Sequence, residues 1–128
     1  MYRIGAGAAP EPVEREVDAR DELAFGYVNP EAKRWLLVYG VDEHGHVYWF
    51  HPSWEDPAEN PRAIPAQPGA QVHELPEAIS HALDGRALTL YGALSDERLS
   101  VKQVEQLLRE HRPLPGAQTS ALELEVTR

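Results

Sequence analysis

Two short apolar runs on either side of a polar loop constrain the fold more than any other feature of the chain. Residues 35–41 and 46–51 are rich in aromatic and β-branched side chains, which are favoured in strands. The loop at 42–45 is Asp-Glu-His-Gly, and its glycine can adopt a positive φ. This pattern predicts a β-hairpin. Because both runs are apolar on both faces, we expect central strands that are covered on both sides.

Three further segments carry strand patterns. Residues 22–28 and 122–126 alternate large apolar side chains with small or polar ones, which is the period of a half-buried strand. Residues 87–94 form another, mostly apolar run. We expect the last of these to be an internal strand.

Repeated prolines dominate residues 52–76. Each proline removes a hydrogen-bond donor and fixes φ, so a long helix or a central strand is not expected there. We predict a crossover loop with short edge strands at Ile64 and Val72. Residues 76–83 fit about two turns of helix, with Pro76 at the first helical position.

One substantial helix is predicted at about 100–112. Ser100 and Gln103 have the spacing of a capping box, and Pro113 ends the segment. The apolar residues fall on one face at helical spacing; they are Val101, Val104, Leu107 and Leu108.

These elements predict a mainly β chain of the α+β class. Its simplest architecture is a β-sandwich, Ig-like in layout, with the amphipathic helix in the C-terminal half. The chain has 128 residues, which suits one domain, and we assign it to 21–128. Residues 1–20 are Gly/Ala-rich and then acidic, and we expect a flexible or edge-strand arm or linker there.

Composition excludes several functional classes. The formal net charge is −9, which repels phosphate backbones, so no nucleic-acid partner is expected. No cysteine is present, which excludes disulfides and thiolate chemistry. No apolar run reaches the ~18 residues of a membrane helix, so no direct membrane insertion is expected. The compartment is left open; because residues 1–9 do not form a signal peptide, a cytoplasmic location is expected for the chain as written.

Three histidines near the hairpin allow two interpretations. His44, His46 and His51 lie close in sequence to Asp42 and Glu43, a donor set that suits zinc or copper. However, His46 and His51 are an odd number of residues apart, so they face opposite sides of a regular strand. We therefore expect exposed loop histidines with His51 as a strand-end cap, and we predict no metal and no cofactor. A metal- or small-ligand-binding hairpin is the alternative.

Aromatic side chains are the candidates for contact with a partner. On neighbouring strands they form either a core or a binding patch, and for the group as a whole we expect the core. Trp54 differs because it lies in the proline-rich loop, where it is expected to be either a lid at one end of the sandwich or an exposed contact. The predicted partner-binding residues are Trp54, Tyr48 and Trp49.

No catalytic residue is predicted, and the protein is expected not to be an enzyme. Ser53 lacks the flanking glycines of a nucleophile elbow. The Gly/Ala-rich residues 5–9 lack a preceding strand and a following Lys-Ser/Thr, which a phosphate-binding loop requires.

Residues 35–52 resemble the hallmark of an uncharacterised bacterial domain family. In that family an aromatic-aliphatic strand leads to a Val-Asp-x-x-Gly turn and then to a strand ending in aromatic-x-Pro. Residues 21–25 and 88–95 are similar to its preceding strand and its last conserved strand. Members occur appended to anti-sigma-factor-like membrane proteins, kinases and caspase-like peptidases.

This resemblance covers roughly 20–128 and implies a sensory or interaction module, often outside the cytoplasmic membrane. If the chain is an excised domain, the resemblance implies a periplasmic or extracytoplasmic location. We therefore expect a non-enzymatic sensory or protein-interaction module in a bacterial signalling or envelope context. A protein or peptide is the expected partner, while the oligomeric state is left open.

Overall fold

The structure is a computed structural model that describes residues 2–5, 16–18, 22–23, 25–54, 58–75, 79–83 and 85–127. Strands make up most of these residues. In chain order they are β1 (Tyr2–Gly5), β2 (Glu16–Asp18), β3 (Glu22–Leu23), β4 (Phe25–Asn29), β5 (Trp35–Asp42), β6 (Val47–His51), β7 (Ile64–Pro65), β8 (Gly69–Glu74), β9 (Ile79–Ser80), β10 (Ala87–Ser95) and β11 (Ala117–Thr127). A helix, α1 (Val101–Arg109), lies between β10 and β11.

The predicted hairpin forms one end of the main sheet, whose strand order is β2-β11-β10-β5-β6, so that β6 lies at the edge. β5 pairs antiparallel with β6 and, along its other edge, with β10. The short strand β7 pairs with β5 next to β6. Gly45 of the connecting loop has a φ of 81°, as the sequence pattern requires. The hairpin prediction is confirmed.

One face of the main sheet packs against a smaller sheet of order β1-β4-β8. Phe25 and Tyr27 of β4 share a buried cluster with Leu36 and Val38 of β5 and with Phe50 of β6. The ring centroids of Phe25 and Phe50 are 5.3 Å apart. The two sheets therefore bury their apolar side chains face to face, as in a sandwich.

The helix α1 covers the opposite face of the main sheet. Val101 and Val104 of α1 lie in a second buried cluster with Leu37 of β5 and Ala93 of β10. β5 is thus covered on both sides, as predicted, by a sheet on one side and by a helix on the other. The expectation that both hairpin strands are central is wrong for β6, which lies at the edge of the sheet. The prediction of a mainly β, α+β fold with one amphipathic helix is confirmed.

The capping box that the sequence predicts begins α1. The Ser100 hydroxyl accepts the N–H of Gln103 at 3.2 Å, and the Gln103 side chain accepts the N–H of Ser100 at 2.8 Å. The helix ends at Arg109 rather than at 112 because His111 has a φ of 54°. A residue in this left-handed conformation terminates a helix.

The edges of both sheets carry short strands. β1 pairs parallel with β4 and β2 pairs parallel with β11, each at the end of its sheet. The rest of residues 1–20 lies outside the described residues. Ile64 and Val72 belong to β7 and β8, which confirms the short strands predicted there.

The helix predicted at 76–83 is wrong over its described part. Ile79 and Ser80 form β9 and pair antiparallel with β3. In this register Ile79 lies opposite Leu23 and packs against the sandwich core. Burial of an apolar side chain between two strands therefore overrides the local helical pattern. Residues 76–78 lie outside the described residues.

Gly40 of β5 lies close to the Leu88 side chain in the sandwich core. This contact provides a test of the packing. A Cβ on Gly40 would lie 2.8 Å from Leu88 Cδ1, and Leu88 is 1% exposed. Gly40→Ala should lower the free energy of unfolding by about 1–3 kcal/mol through overpacking. Leu88→Ala should lower it by about 2–5 kcal/mol through a cavity.

In the double variant the added methyl partly fills the cavity. The combined loss, measured by urea denaturation, should therefore be smaller than the sum of the two single losses. Strictly additive losses would contradict the contact.

Candidate interaction surface

Asp42 organises the tip of the β5–β6 hairpin. One oxygen of its carboxylate accepts the backbone N–H groups of His44 and His46, each at 2.9 Å. The other accepts the Tyr48 hydroxyl at 3.0 Å. The Asp42 side chain is only 2% exposed, so these bonds replace the water that it loses. Its role is to hold the turn between β5 and β6.

The pKa of Asp42 lies below its ordinary value. Burial by itself raises the pKa of this carboxyl group, because it disfavours the charged form. The hydrogen bonds from the His46 N–H, the Tyr48 hydroxyl and the His44 N–H favour the carboxylate, and together they outweigh burial. Asp42 is therefore ionised at neutral pH and cannot serve as a proton donor there.

Glu43 connects the hairpin tip to the start of β10 through hydrogen bonds. Its carboxylate accepts the backbone N–H of Arg86 at 2.9 Å and that of Ala87 at 3.2 Å. Both acidic residues of the predicted loop are thus bound to backbone groups or to Tyr48. They support the hairpin rather than form a binding site.

The three candidate histidines are not brought together. His44 and His46 are exposed at the hairpin tip, with ring centroids 6.3 Å apart. His51 is buried at the opposite end of β6 and meets the Phe25 ring edge to face at 5.9 Å. Across the part of the chain that the structure describes, no three His, Cys, Asp or Glu side chains are grouped to hold a metal ion.

A row of four aromatic rings crosses the helix-covered face of the main sheet. Tyr91 of β10 stacks on Tyr39 of β5 at 5.3 Å, and Tyr39 contacts Trp49 of β6 at 5.1 Å. Trp54, in the loop after β6, lies 6.4 Å from Trp49. The two central rings are buried, whereas the two end rings are half-buried. Burial, with a smaller contribution from Tyr91, raises the pKa of Tyr39 to about 12.

The three predicted partner-binding residues therefore do not lie on the same face of the main sheet. Trp49 and Trp54 belong to the aromatic row. Tyr48 follows the alternation of β6 and lies on the sandwich side, where its hydroxyl binds Asp42 and its ring is 6.1 Å from His81. Because adjacent strand residues point to opposite faces, these three side chains do not form one patch.

The helix α1 is too short to cover the whole face of the sheet. It has 9 residues and is about 14 Å long at ~1.5 Å per residue. β10 also has 9 residues but spans about 30 Å. At the covered end Leu37, Tyr39 and Ala93 are at most 2% exposed. Towards the hairpin tip the side chains on the same face are half-buried.

We call these half-buried side chains the open strip; they are Val41, Val47, Thr89 and Tyr91. Val41 faces Thr89 across one strand pair and Val47 across the other. The strip is therefore continuous across β6, β5 and β10.

Two exposed carboxylates of β11, Glu123 and Glu125, border the open strip, and we call them the acidic rim. They lie opposite Thr89 and Ala87 of β10. A shallow groove of about 580 Å³ runs along this border, with Val41, Thr89 and both rim residues among its lining side chains. The strip and the rim together are the candidate interaction surface.

Sequence reasoning found only part of this surface. The alternation in 122–126 correctly indicated a strand with one wet face, which is where the acidic rim lies. The open strip was missed because its exposure depends on where α1 docks and how far it reaches. No local pattern in β5, β6 or β10 carries that information.

The chain matches no protein-family model, no curated protein and no solved structure. The bacterial domain family that residues 35–52 resemble therefore stays a prediction. Among the described residues, no helix has the length and apolar character needed to cross a membrane.

The hydrogen bonds of Asp42 predict a pH-dependent contribution to stability. Its pKa is lower in the folded protein than in the unfolded chain, so its charge stabilises the fold at neutral pH. This contribution is lost as the pH falls below about 4 and through the folded-state pKa. Asp42→Asn keeps an acceptor for the two backbone N–H groups but carries no charge.

At pH 7 we expect Asp42→Asn to lower the free energy of unfolding by about 1–2 kcal/mol. The difference from the parent protein should shrink in urea denaturation below about pH 4. Glu97→Gln, at an exposed position, serves as the control. A difference for Asp42→Asn that is the same at both pH values would contradict this account.

Proposed function

We propose that the protein is a non-enzymatic protein-interaction module that binds a protein or peptide partner through the open strip and its acidic rim. The observation that carries the proposal is the short reach of α1, which leaves Val41, Val47 and Tyr91 half-buried on a sheet face. Contiguous apolar surface rimmed by polar residues is typical of interaction sites. A bacterial signalling or envelope setting, which the family resemblance implies, is part of the proposal.

The rigidity of the candidate interaction surface supports a binding role. Tyr39 and Trp49 are buried beneath the surface and fix the positions of the half-exposed rings of Tyr91 and Trp54 through ring contacts. Strand backbone holds the open strip on three paired strands. A surface that is ordered before binding loses little conformational entropy when a partner docks.

The use of four buried polar side chains supports a non-enzymatic role. Asn29 binds the backbone of Lys33 and the carbonyl of Gln67. Ser95 and Ser100 bind backbone groups at the two ends of the segment that leads into α1. Together with Asp42, these side chains satisfy the fold's own donors and acceptors, which is a structural use.

Trp54 is retained as a contact at the border of the surface. Its ring packs on Trp49 and remains half-exposed, so it combines the lid and the contact that the sequence left as alternatives. Trp49 contributes as buried support, and Tyr48 lies on the other face. The proposal therefore places the partner on the side of Trp54 and Tyr91.

A peptide selection tests the proposed function. Random peptides displayed on phage are selected on the immobilised protein, and the affinities of the selected peptides are measured by fluorescence anisotropy. Ala121 is exposed and lies directly opposite Tyr91 on β11, so Ala121→Arg places a long side chain over the strip. We expect it to weaken the selected peptides about tenfold or more without changing the melting temperature.

Gln71→Arg makes the same change in charge at an exposed position of β8, which lies in the other sheet, and should leave the affinities unchanged. Selected peptides that bind both variants as tightly as the parent protein would contradict the proposed surface.

Two aromatic variants show on which face of the main sheet the partner binds. Trp54→Ala should weaken the selected peptides several-fold and lower the free energy of unfolding by about 1–2 kcal/mol, because part of the ring is buried on Trp49. Tyr48→Phe removes only the hydroxyl bond to Asp42 and should cost about 1 kcal/mol of stability, with no change in affinity. If Tyr48→Phe weakened binding more than Trp54→Ala, the partner would dock on the sandwich side instead.

A further inference from the structure

We propose that the partner presents a cationic segment, whose lysine or arginine side chains pair with the acidic rim while its apolar side chains cover the open strip. This proposal rests on the proposed function and names the chemistry of the partner at the same surface.

The rim carboxylates are available to a partner. Glu123 and Glu125 are exposed, and neither side-chain carboxylate makes a hydrogen bond or an ion pair within the described part of the chain. By contrast, the carboxylates of Asp42 and Glu43 are engaged at the hairpin tip. The exposed Arg86 also lines the groove, but in the described part of the chain it forms no ion pair with either rim carboxylate.

The spacing of the rim suits an extended or a helical segment of a partner. Glu123 and Glu125 are two residues apart on one strand, so their Cβ atoms point to the same side and lie about 7 Å apart. Their cross-strand neighbours on β10, Thr89 and Ala87, are short and uncharged. On β2 the register partner of Glu125 is another acidic residue, Glu16. An incoming cationic side chain therefore meets the two carboxylates without local competition from across the strand pair.

The apolar side chains determine where a cationic segment would dock. Val41 lies on β5, next to β10, and Val47 lies one strand further from the rim, on β6. A segment that reaches both features must combine cationic and apolar side chains. The net charge of −9 adds long-range attraction for such a partner, which falls with rising salt.

Synthetic peptides test the partner chemistry directly. The probes are a short peptide that alternates lysine and valine, a second that alternates glutamate and valine, and a third that alternates lysine and serine. We expect the lysine–valine peptide to bind most tightly and its affinity to fall at high salt. The glutamate–valine peptide lacks the charge, and the lysine–serine peptide lacks the apolar side chains.

Charge-neutralising variants locate the ion pairs. Glu123→Gln/Glu125→Gln should weaken the lysine–valine peptide by about fivefold, as expected for two exposed ion pairs. The matched control, Glu59→Gln/Glu97→Gln, removes the same charge at exposed loop positions and should have little effect. Melting temperatures of both double variants should equal that of the parent protein.

Equal weakening by both double variants would mean that only the net charge attracts the peptide, and this would overturn the proposal. Tight binding of the glutamate–valine peptide would overturn it as well. In either case the proposed function stands if peptides from the random selection remain sensitive to Ala121→Arg. If those peptides are insensitive to Ala121→Arg, both the proposed function and the cationic-partner proposal fail.

Discussion

The need to bury both faces of β5 governs the architecture. Leu36 and Val38 point to one side, Leu37 and Tyr39 to the other, and all four are at most 2% exposed. Apolar burial contributes about 25 cal/mol per Å², so leaving either face in water would be costly. The second sheet covers one face, and α1 covers the other. Because a helix rises less than half as far per residue as a strand, this second cover ends before the sheet does.

This mismatch in length connects the fold to the proposed function. The covered end of the face is closed by α1 and the buried clusters, whereas the end near the hairpin tip exposes the open strip. The tip itself is fixed by Asp42 and Glu43, whose carboxylates hold the loop and the start of β10. The exposed surface is therefore an ordered part of the sheet, which favours binding over local rearrangement.

Most of the architecture could be predicted from the sequence, because local signals determine it. Residues 35–51 carry a hairpin pattern, 122–126 a one-sided strand, and Ser100 with Gln103 a capping box; the structure contains all three. Ile79 and Ser80 could not be placed, since their pairing with β3 is a long-range contact. The open strip could not be predicted for the same reason. Its exposure follows from where α1 docks, which depends on the packing of the whole domain.

The central claim is that a partner binds the open strip and the acidic rim of the main sheet. Nuclear magnetic resonance tests it most directly, by mapping amide chemical shifts of the labelled protein as the lysine–valine peptide is added. The account predicts that the largest changes fall on β5, β6, β10 and β11 near Val41, Val47, Thr89 and Glu123. Changes concentrated on β4 and β8, in the smaller sheet, would contradict it.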